Sequence, residues 1–316
     1  MTYEKFLETI RKEVQNRADS DLRVYMQDCI KNNDVIYNGL TIMDANFNLA
    51  PTIYLNNFYD RYGDDIDSAV EEVLRIYYEN KPDSKYDMSF FKVWESVKDK
   101  IAYKIVNTEW NSNLLRDVPH ISFLDLSVVF YMILEHDDEG NATVLLRNEH
   151  LKAWNKTAED LFEIAKVNTQ KIIPYTIKDI FDTMAGIIGI DKSELEIPLM
   201  CDENDVVPMY VITNKSMLYG ACAMLEKDLL KNLGEKFGSF IIIPSSVHEL
   251  IIVPSEQDSC DMEYFSEIIN EVNTSQLAEE EVLSDHAYFY NADTNEITYK
   301  KIRICRLKCP VLKAFS

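Results

Sequence analysis

Reactive side chains crowd together in one stretch of the chain, Gly238–Pro254. Ser245, Ser246, His248 and Glu249 lie there between two apolar runs. A serine nucleophile needs a base within about 3 Å, and that base needs a third group to orient it. Ser246 and His248 are therefore the candidate nucleophile and base of a hydrolytic site, and Glu249 is a candidate for the third group.

The spacing alone does not complete such a site. On a hairpin, Ser246 and His248 share a face while Glu249 points the other way, so the orienting acid would have to come from elsewhere, for instance Asp285. The glycine-flanked serine of the α/β-hydrolases is also missing. We favour the alternative, in which the serines satisfy backbone groups of a turn and His248 caps the end of a sheet.

Metal binding is the second chemistry to consider. His248, Glu249, Asp285 and His286 are suitable ligand types for zinc or manganese, but no H-E-x-x-H helix or comparable spacing is present. The six cysteines are scattered, and their one close pair, Cys305 and Cys309, has no second pair to complete a zinc site. A glycine-rich phosphate loop is absent as well. We therefore predict no metal and no cofactor.

Three asparagines, Asn168, Asn214 and Asn273, end predicted strands or helices. Side-chain amides at such positions commonly cap backbone groups, and this is the default interpretation. In the alternative, the asparagines line a polar binding cleft together with the serines and the histidine of the 245–249 turn, Ser245 included.

The elements that must hold these residues follow from the apolar patterns. Phe240–Ile243 and Leu250–Val253 are too short for helices, are rich in isoleucine and are bounded by proline, which predicts two strands of a hairpin. Further hairpins are predicted over residues 22–43, 121–147 and 286–300. The first of them has its turn at K-N-N-D, and the N-G pair at Asn38 and Gly39 is a second turn signal within it. Helices are predicted over 3–16, 64–80, 88–106, 157–167, 177–188, 219–233 and 261–272. Residues 191–207 show no clear pattern.

This order of elements predicts an α+β fold, with antiparallel hairpins and helices packed on one face of the sheet, in two lobes. We place the N-terminal α+β lobe at residues 1–115, the C-terminal α+β lobe at 116–300 and a basic tail at 301–316. A length of 316 residues and a hydrophobic content of 47% fit a globular chain of about two domains.

The net charge of −22 is the most unusual property of the composition. It argues against direct binding to nucleic acid or to an anionic membrane. The stretch Lys300–Ser316 has six basic residues and no acidic one, so the rest of the chain carries −28. A surface this acidic raises the hypothesis of a DNA mimic that occupies a nucleic-acid-binding partner, although an ordinary acidic soluble protein is the simpler explanation.

The N-terminus is charged and amphipathic, and every apolar run is far shorter than the roughly 20 residues that cross a bilayer. These two features predict a cytoplasmic protein that does not enter a membrane.

Several phrases of the sequence carry a resemblance to a known family. They are K-N-N-D with G-L-T-I (31–42), A-P-T-I-Y-L-N-N-F-Y (50–59), D-V-P-H with F-L-D-L-S-V-V-F (117–130), Y-V-I-T-N (210–214), I-I-P-S-S-V-H-E (242–249) and E-V-N-T-S-Q with E-E-V-L-S-D (271–285). Over roughly residues 20–300 the chain resembles the uncharacterised bacterial domain-of-unknown-function family 5688. The resemblance implies a cytoplasmic protein of anaerobic Gram-positive bacteria, often encoded near mobile elements, and it assigns no activity, cofactor or catalytic residue. The sequence from Arg303 onward departs from the family pattern.

We therefore expect a non-enzymatic binding or regulatory module with an unidentified protein or small-molecule partner. A hydrolase that uses Ser246 and His248 is the first alternative, and the acidic DNA mimic is the second.

Overall fold

A computed structural model describes residues 1–47, 50–82, 88–137, 140–189, 191, 208–255 and 260–300. Its α-helices are α1 (Tyr3–Arg17), α2 (Asn56–Tyr62), α3 (Ile66–Asn80), α4 (Trp94–Val97), α5 (Leu114–Asp117), α6 (Asn148–Trp154), α7 (Ala158–Ile172), α8 (Ile180–Ile188), α9 (Lys227–Phe237) and α10 (Cys260–Ser275). Short 3-10 helices span Asn32–Asp34, Met88–Lys92, Lys98–Lys100, Gly220–Leu225 and Glu279–Glu281.

The strands are β1 (Leu22–Ile30), β2 (Ile36–Asp44), β3 (Thr52–Tyr54), β4 (Ile101–Asn107), β5 (His120–Phe123), β6 (Leu126–Asp137), β7 (Gly140–Leu145), β8 (Tyr175–Asp179), β9 (Tyr210–Asn214), β10 (Phe240–Pro244), β11 (Leu250–Pro254), β12 (Tyr288–Asn291) and β13 (Glu296–Tyr299). They form three antiparallel sheets. The predicted α+β class is confirmed. No helix within the described ranges has the length and apolar character needed to cross a membrane.

The first sheet and its helices form a small unit with a core of its own. Strands β1, β2 and β3 pair in that order, and α1 and α3 pack on them. Helix α1 begins at the Thr2 cap and buries Phe6, Ile10 and Val14 completely, at the helical spacing seen in the sequence. This core draws on residues between Phe6 and Tyr77.

The other two sheets share the largest core of the molecule. Strands β4, β6 and β5 pair in that order with β7 added to β6, and the six-stranded sheet has the order β13-β12-β10-β11-β9-β8. Side chains alternate along β10, so that Phe240 and Ile242 enter the core shared with β4 and β6, whereas Ile241 packs against α10 on the opposite face. The predicted 240–254 hairpin thus lies at the centre of this sheet.

The predicted helix over 88–106 is wrong. The chain forms 3-10 turns and the short α4, and then β4 begins at Ile101. Strand β4 is covered on both faces, since Tyr103 lies in the main core and Ala102 and Val106 lie in separate clusters on its other side. A strand covered in this way is apolar at almost every position, so its residues fit a helical spacing equally well.

The predicted helix over 219–233 is also displaced. A 3-10 helix comes first, and α9 begins only at Lys227. Two residues interrupt the helical path, because Tyr219 has a left-handed backbone (φ 53°) and Glu226 has φ −89° and ψ 87°. The sequence analysis also missed β8, which precedes α8.

The N-G pair at Asn38 and Gly39 does not form a turn. Strand β2 continues through it, and a Cβ at Gly39 would lie 2.6 Å from Thr52 Cγ2 on β3. Glycine is required here because β2 and β3 approach closely.

The division into lobes at residue 115 stays a prediction. By packing alone, the two largest cores separate between Tyr77 and Val97, because β4 pairs along its whole length with β6. We call residues 1–80 the N-terminal unit and residues 88–300 the C-terminal unit. The basic tail (301–316), Cys305, Cys309 and the unassigned stretch 192–207 lie outside the described residues.

Candidate functional site

The turn between β1 and β2 docks the N-terminal unit onto the C-terminal unit. Asn33, at its tip, has a left-handed backbone (φ 60°) and donates from Nδ2 to the carbonyls of Glu279 and Val282, both at 2.7 Å. Its backbone amide donates to Asn111 Oδ1 (2.8 Å), and Asn111 Nδ2 donates back to Asn33 Oδ1 (3.0 Å). One asparagine therefore holds two segments of the other unit.

Neighbouring turn residues complete this joint. The carboxylate of Asp34 accepts the backbone amides of Asn113 (2.8 Å) and Leu114 (2.9 Å), and Asn32 Nδ2 donates to the carbonyl of Glu280 (2.7 Å). Lys31 Nζ bonds to Tyr54 Oη on β3 (2.6 Å). We call residues 31–34 the docking turn.

A cleft of about 190 Å³ lies between the docking turn and the C-terminal unit. Its lining contains charged, polar and apolar groups: Lys31, Asn32, Lys104, Val106, Tyr219, Val247, His248, Glu280 and Glu281. One residue of the predicted hydrolytic set, His248, lines this cleft.

His248 enters the cleft on the turn between β10 and β11. Its Nδ1 accepts a hydrogen bond from the backbone amide of Tyr219 (3.2 Å), and its ring stacks on the Tyr219 ring at 5.4 Å and 14°. Burial lowers the pKa of His248, and the ammonium group of Lys104 adds to this effect, while Glu281 opposes it. The lowered pKa favours the neutral imidazole at pH 7, although a hydrogen bond of the ring to the Met217 backbone also opposes the effect of burial.

The segment that carries Tyr219 is held in a strained conformation. Met217 (φ 47°) and Tyr219 (φ 53°) both have left-handed backbones without being glycine. Asn214 stabilises this turn, since its Oδ1 accepts the amides of Ser216 and Leu218 and its Nδ2 donates to the Leu218 carbonyl. The strained turn presents the Tyr219 ring to the cleft.

The next residue, Gly220, allows the strained turn to lie close to the turn between β10 and β11 that carries His248. A Cβ at Gly220 would lie 2.5 Å from the carbonyl oxygen of His248 and 2.8 Å from Thr213 Cα. A larger residue would push the Tyr219 and His248 backbones apart.

Two opposite charges in the cleft form no ion pair with a described residue. Lys104 Nζ lies 4.1 Å from the centre of the Tyr219 ring and makes no ion pair with any described residue. The Glu281 side chain likewise makes no hydrogen bond or ion pair with a described residue, although its backbone carbonyl accepts the Val247 amide (2.9 Å). Glu280, by contrast, accepts a hydrogen bond from Tyr37 Oη.

One residue of the lining has an unsatisfied acceptor behind the cleft surface. Asn32 Oδ1 is closed to solvent and has no hydrogen-bond partner among the described residues. Such groups are rare, because burying a polar atom without a partner costs about 1–3 kcal/mol.

The predicted hydrolytic residues do not bond to one another as a nucleophile and base would. Ser246 Oγ accepts the backbone amide of His248 (3.0 Å), and no bond joins that hydroxyl to the imidazole. Ser245 donates to Glu249 Oε1 (2.8 Å), which closes the turn on itself. The backbone carbonyl of Asp285 accepts a hydrogen bond from Asn270 Nδ2. Among the described residues, Asp285 forms no hydrogen bond with His248.

The remaining predicted binding residues lie away from the cleft and hold backbone groups. Asn168 Nδ2 donates to the carbonyls of Lys98 (2.7 Å) and Ile101 (2.9 Å) at the start of β4. Asn273 Nδ2 donates to the Ser284 carbonyl (2.9 Å).

His286 does not join His248 in a metal site. Its Nε2 lies 2.8 Å from Asp125 Oδ2 and its Nδ1 lies 3.1 Å from the Ala287 carbonyl oxygen. Both partners accept hydrogen bonds, so both ring nitrogens carry protons and the ring is an imidazolium paired with Asp125. The residues that the structure describes contain no group of three or more His, Cys, Asp or Glu side chains that could hold a metal ion.

A second buried polar network lies in the main core. Glu226 is 3% exposed and accepts hydrogen bonds from Tyr103 Oη and Gln170 Nε2. Tyr175 and Cys222 form a further contact beside it (3.3 Å), and burial raises the pKa of the Cys222 thiol to about 12. This thiol stays protonated and unreactive at neutral pH.

The sequence pattern singles out His248 but none of the other groups that define the cleft. Lys104 and Tyr219 both fall within predicted helices. The docking turn is predicted only as the turn of a hairpin. Its adjacent asparagines were the available signal, since asparagine favours left-handed turns and hydrogen-bonds to backbone groups.

Comparisons with known proteins give one match. A family model described as "Family of unknown function (DUF5688)" matches residues 3–292. No curated protein and no solved structure matches the chain.

Proposed function

Because the chain belongs to this family of unknown function, we propose its role from its own cleft: it is a binding module that takes a small polar ligand between the docking turn and the C-terminal unit. The observation that carries the proposal is a pair of opposite charges, Lys104 and Glu281, which line one cleft and form no ion pair with a described residue.

The lining of the cleft combines these charges with apolar groups. Charged groups that converge on a cavity without pairing to each other are available to a ligand, and a few such polar groups on an otherwise apolar lining fix ligand orientation. Val106, Val247 and the Tyr219 ring supply the apolar part.

The state of His248 favours binding over hydrolysis. A general base at this position would have to accept the proton of a serine hydroxyl. The Nδ1 atom already accepts the Tyr219 amide, and the ring also bonds to the Met217 backbone, so the imidazole is held by backbone groups. A cytoplasmic location, as expected from the sequence, remains part of this proposal.

The test is a binding screen on the full chain. Inorganic phosphate, acetate, propionate, ethylamine, glycine, L-alanine, L-valine, AMP and glucose would each be titrated by isothermal calorimetry. We expect at least one compound to bind the wild type and to bind Lys104→Met about 10-fold more weakly or worse, because a charge-assisted hydrogen bond is lost. Methionine keeps the length of the side chain and its contact with the Tyr219 ring.

Lys166→Met on the exposed face of α7 is the matched control, since it removes the same charge away from the cleft. Binding that Lys166→Met weakens as much as Lys104→Met would point to a general charge effect and would contradict the proposal. Absence of binding across the whole panel would also contradict it.

A further inference from the structure

We infer that the cleft binds the zwitterion of a small α-amino acid, with the ligand carboxylate on Lys104 and its ammonium group on Glu281. The inference rests on the proposed function, because it assigns a ligand class to the same cleft.

Two residues of opposite charge in the cleft do not pair with each other. Lys104 and Glu281 line one cavity, yet they form no ion pair with each other. Both act electrostatically on the buried ring of His248, in opposite directions, so that ring lies within reach of both charges. A ligand that carries one charge of each sign would satisfy both protein groups at once.

The two charged groups of the cleft also differ in the hydrogen bonds they can form. The Glu281 carboxylate can only accept hydrogen bonds, which fits the three donors of an ammonium group. The Lys104 ammonium group can only donate, which fits a carboxylate. A simple anion would leave Glu281 without a ligand partner, and a simple amine would leave Lys104 without one.

The size of the cleft limits the side chain of the ligand. A volume of about 190 Å³ is below the ~300–1,000 Å³ typical of sites for larger ligands. Val106, Val247 and the Tyr219 ring leave an apolar surface for a hydrogen, methyl or small branched side chain. Glycine, alanine and valine are therefore the probes to use.

Calorimetry with the full chain tests this inference. We expect glycine, L-alanine or L-valine to bind, and propionate and ethylamine, which each lack one of the two charges, to bind at least about 10-fold more weakly. Lys104→Met and Glu281→Gln should each weaken amino-acid binding by about 10-fold or more. Lys166→Met and Glu263→Gln, both at exposed helix positions, should leave it unchanged.

The outcomes separate this inference from the proposed function. If propionate or phosphate binds as tightly as alanine and Glu281→Gln has no effect, the ligand is an anion, and the zwitterion inference fails while the cleft remains a binding site. If amino acids bind but neither Lys104→Met nor Glu281→Gln weakens them, the assigned site is wrong. If no compound of the wider panel binds, both proposals fail. Circular dichroism of each variant confirms that it is folded.

Discussion

The pair of His286 and Asp125 connects β12 to the turn between β5 and β6. Tyr288 Oη also donates to Asp125 Oδ1 (2.9 Å), so the carboxylate is bound by two side chains. Burial alone would lower the pKa of His286, but the bond to Asp125 outweighs it and the pKa is raised above its usual 6.5. Burial likewise opposes ionisation of Asp125, but His286 keeps the pKa of that carboxyl below its usual 3.8.

These shifts predict a pH window for stability. The contribution of His286 is fully present below pH 6.5 and is lost as the pH rises through its higher folded-state value. The contribution of Asp125 is present above pH 3.8 and is lost as the pH falls through its lower folded-state value. His286→Gln should therefore reduce the free energy of unfolding most between these two pH values, by about 3 kcal/mol, as for a broken buried pair.

Urea unfolding of wild type and His286→Gln from pH 4 to pH 9 measures this difference. The difference should shrink as the pH rises toward 9. His120→Gln, at an exposed position of β5, is the control and should show no such pH dependence. A His286→Gln effect that grows toward pH 9 would contradict the assignment of an imidazolium.

Glu226 and Tyr103 support a second prediction at the level of single residues. Tyr103→Phe removes one of the two donors to the buried Glu226 carboxylate and leaves the ring packing intact. We expect a loss of about 1–3 kcal/mol in the free energy of unfolding, because a buried acceptor loses its partner. Tyr264→Phe removes a hydroxyl at a side chain that is 61% exposed and should change the same quantity by less than about 0.5 kcal/mol. Equal effects of the two variants would contradict the role given to Glu226.

Among the elements, the docking turn is the one whose removal should separate the two units. Asn33→Gly keeps access to the left-handed backbone and removes the side-chain hydrogen bonds to Asn111, Glu279 and Val282. We expect it to lower the free energy of unfolding by about 1–3 kcal/mol. Asn33→Ala should cost about 1 kcal/mol more, because alanine also resists the left-handed conformation.

Chemical denaturation followed by circular dichroism tests both variants. The difference in the free energy of unfolding between the alanine and glycine variants measures the cost of the left-handed backbone, because both variants lack the side-chain hydrogen bonds. If Asn33→Gly is as stable as the wild type, the hydrogen bonds of the turn do not hold the units together.

The sequence predicts a helix or strand best when other parts of the protein bury only one of its faces. The 240–254 hairpin was predictable because prolines end two short isoleucine-rich runs, and α1 was predictable because only one of its faces is buried. Strand β4 is buried on both sides, so its periodicity carries no information about its type. The 219–226 segment depends on the long-range bonds of Glu226 to Tyr103 and Gln170, and these are invisible in the local sequence.

At the scale of the whole molecule, the net charge of −22 makes like-charge repulsion the dominant surface effect. The ion pairs that involve lysine or arginine in the described part of the chain lie at exposed or half-exposed side chains, for example Arg75 with Glu72 and with Glu79, and such pairs contribute little. Screening by salt should therefore relieve more repulsion than attraction.

Raising NaCl from about 0.05 M to about 0.5 M at pH 7 should accordingly increase Tm by about 1–2 °C, which corresponds to roughly 1 kcal/mol in a chain of this size. Differential scanning calorimetry measures the change. Near the sequence pI of about 4.6 the gain should disappear, because little net charge remains to be screened. A Tm that falls with salt at pH 7 would contradict this account.

The candidate site was less predictable than the fold, because its residues come from distant parts of the chain. Lys31, Lys104, Tyr219 and His248 line one cleft, although up to 217 positions separate them in the sequence. Of these, only His248 carries a side chain whose type suggests chemistry by itself. The others acquire a role through the docking turn and the strained Tyr219 backbone, which no local pattern predicts.

The walls of the cleft come from both units, since Lys31 and Asn32 belong to the docking turn and the other lining residues belong to the C-terminal unit. If the cleft binds a ligand as proposed, ligand binding and docking are thermodynamically linked. A ligand that binds only the docked arrangement stabilises docking by RT ln(1 + [L]/Kd), and a weaker joint lowers the apparent affinity by the same coupling free energy. The free energy that holds the docking turn against the C-terminal unit would therefore increase with the concentration of the ligand.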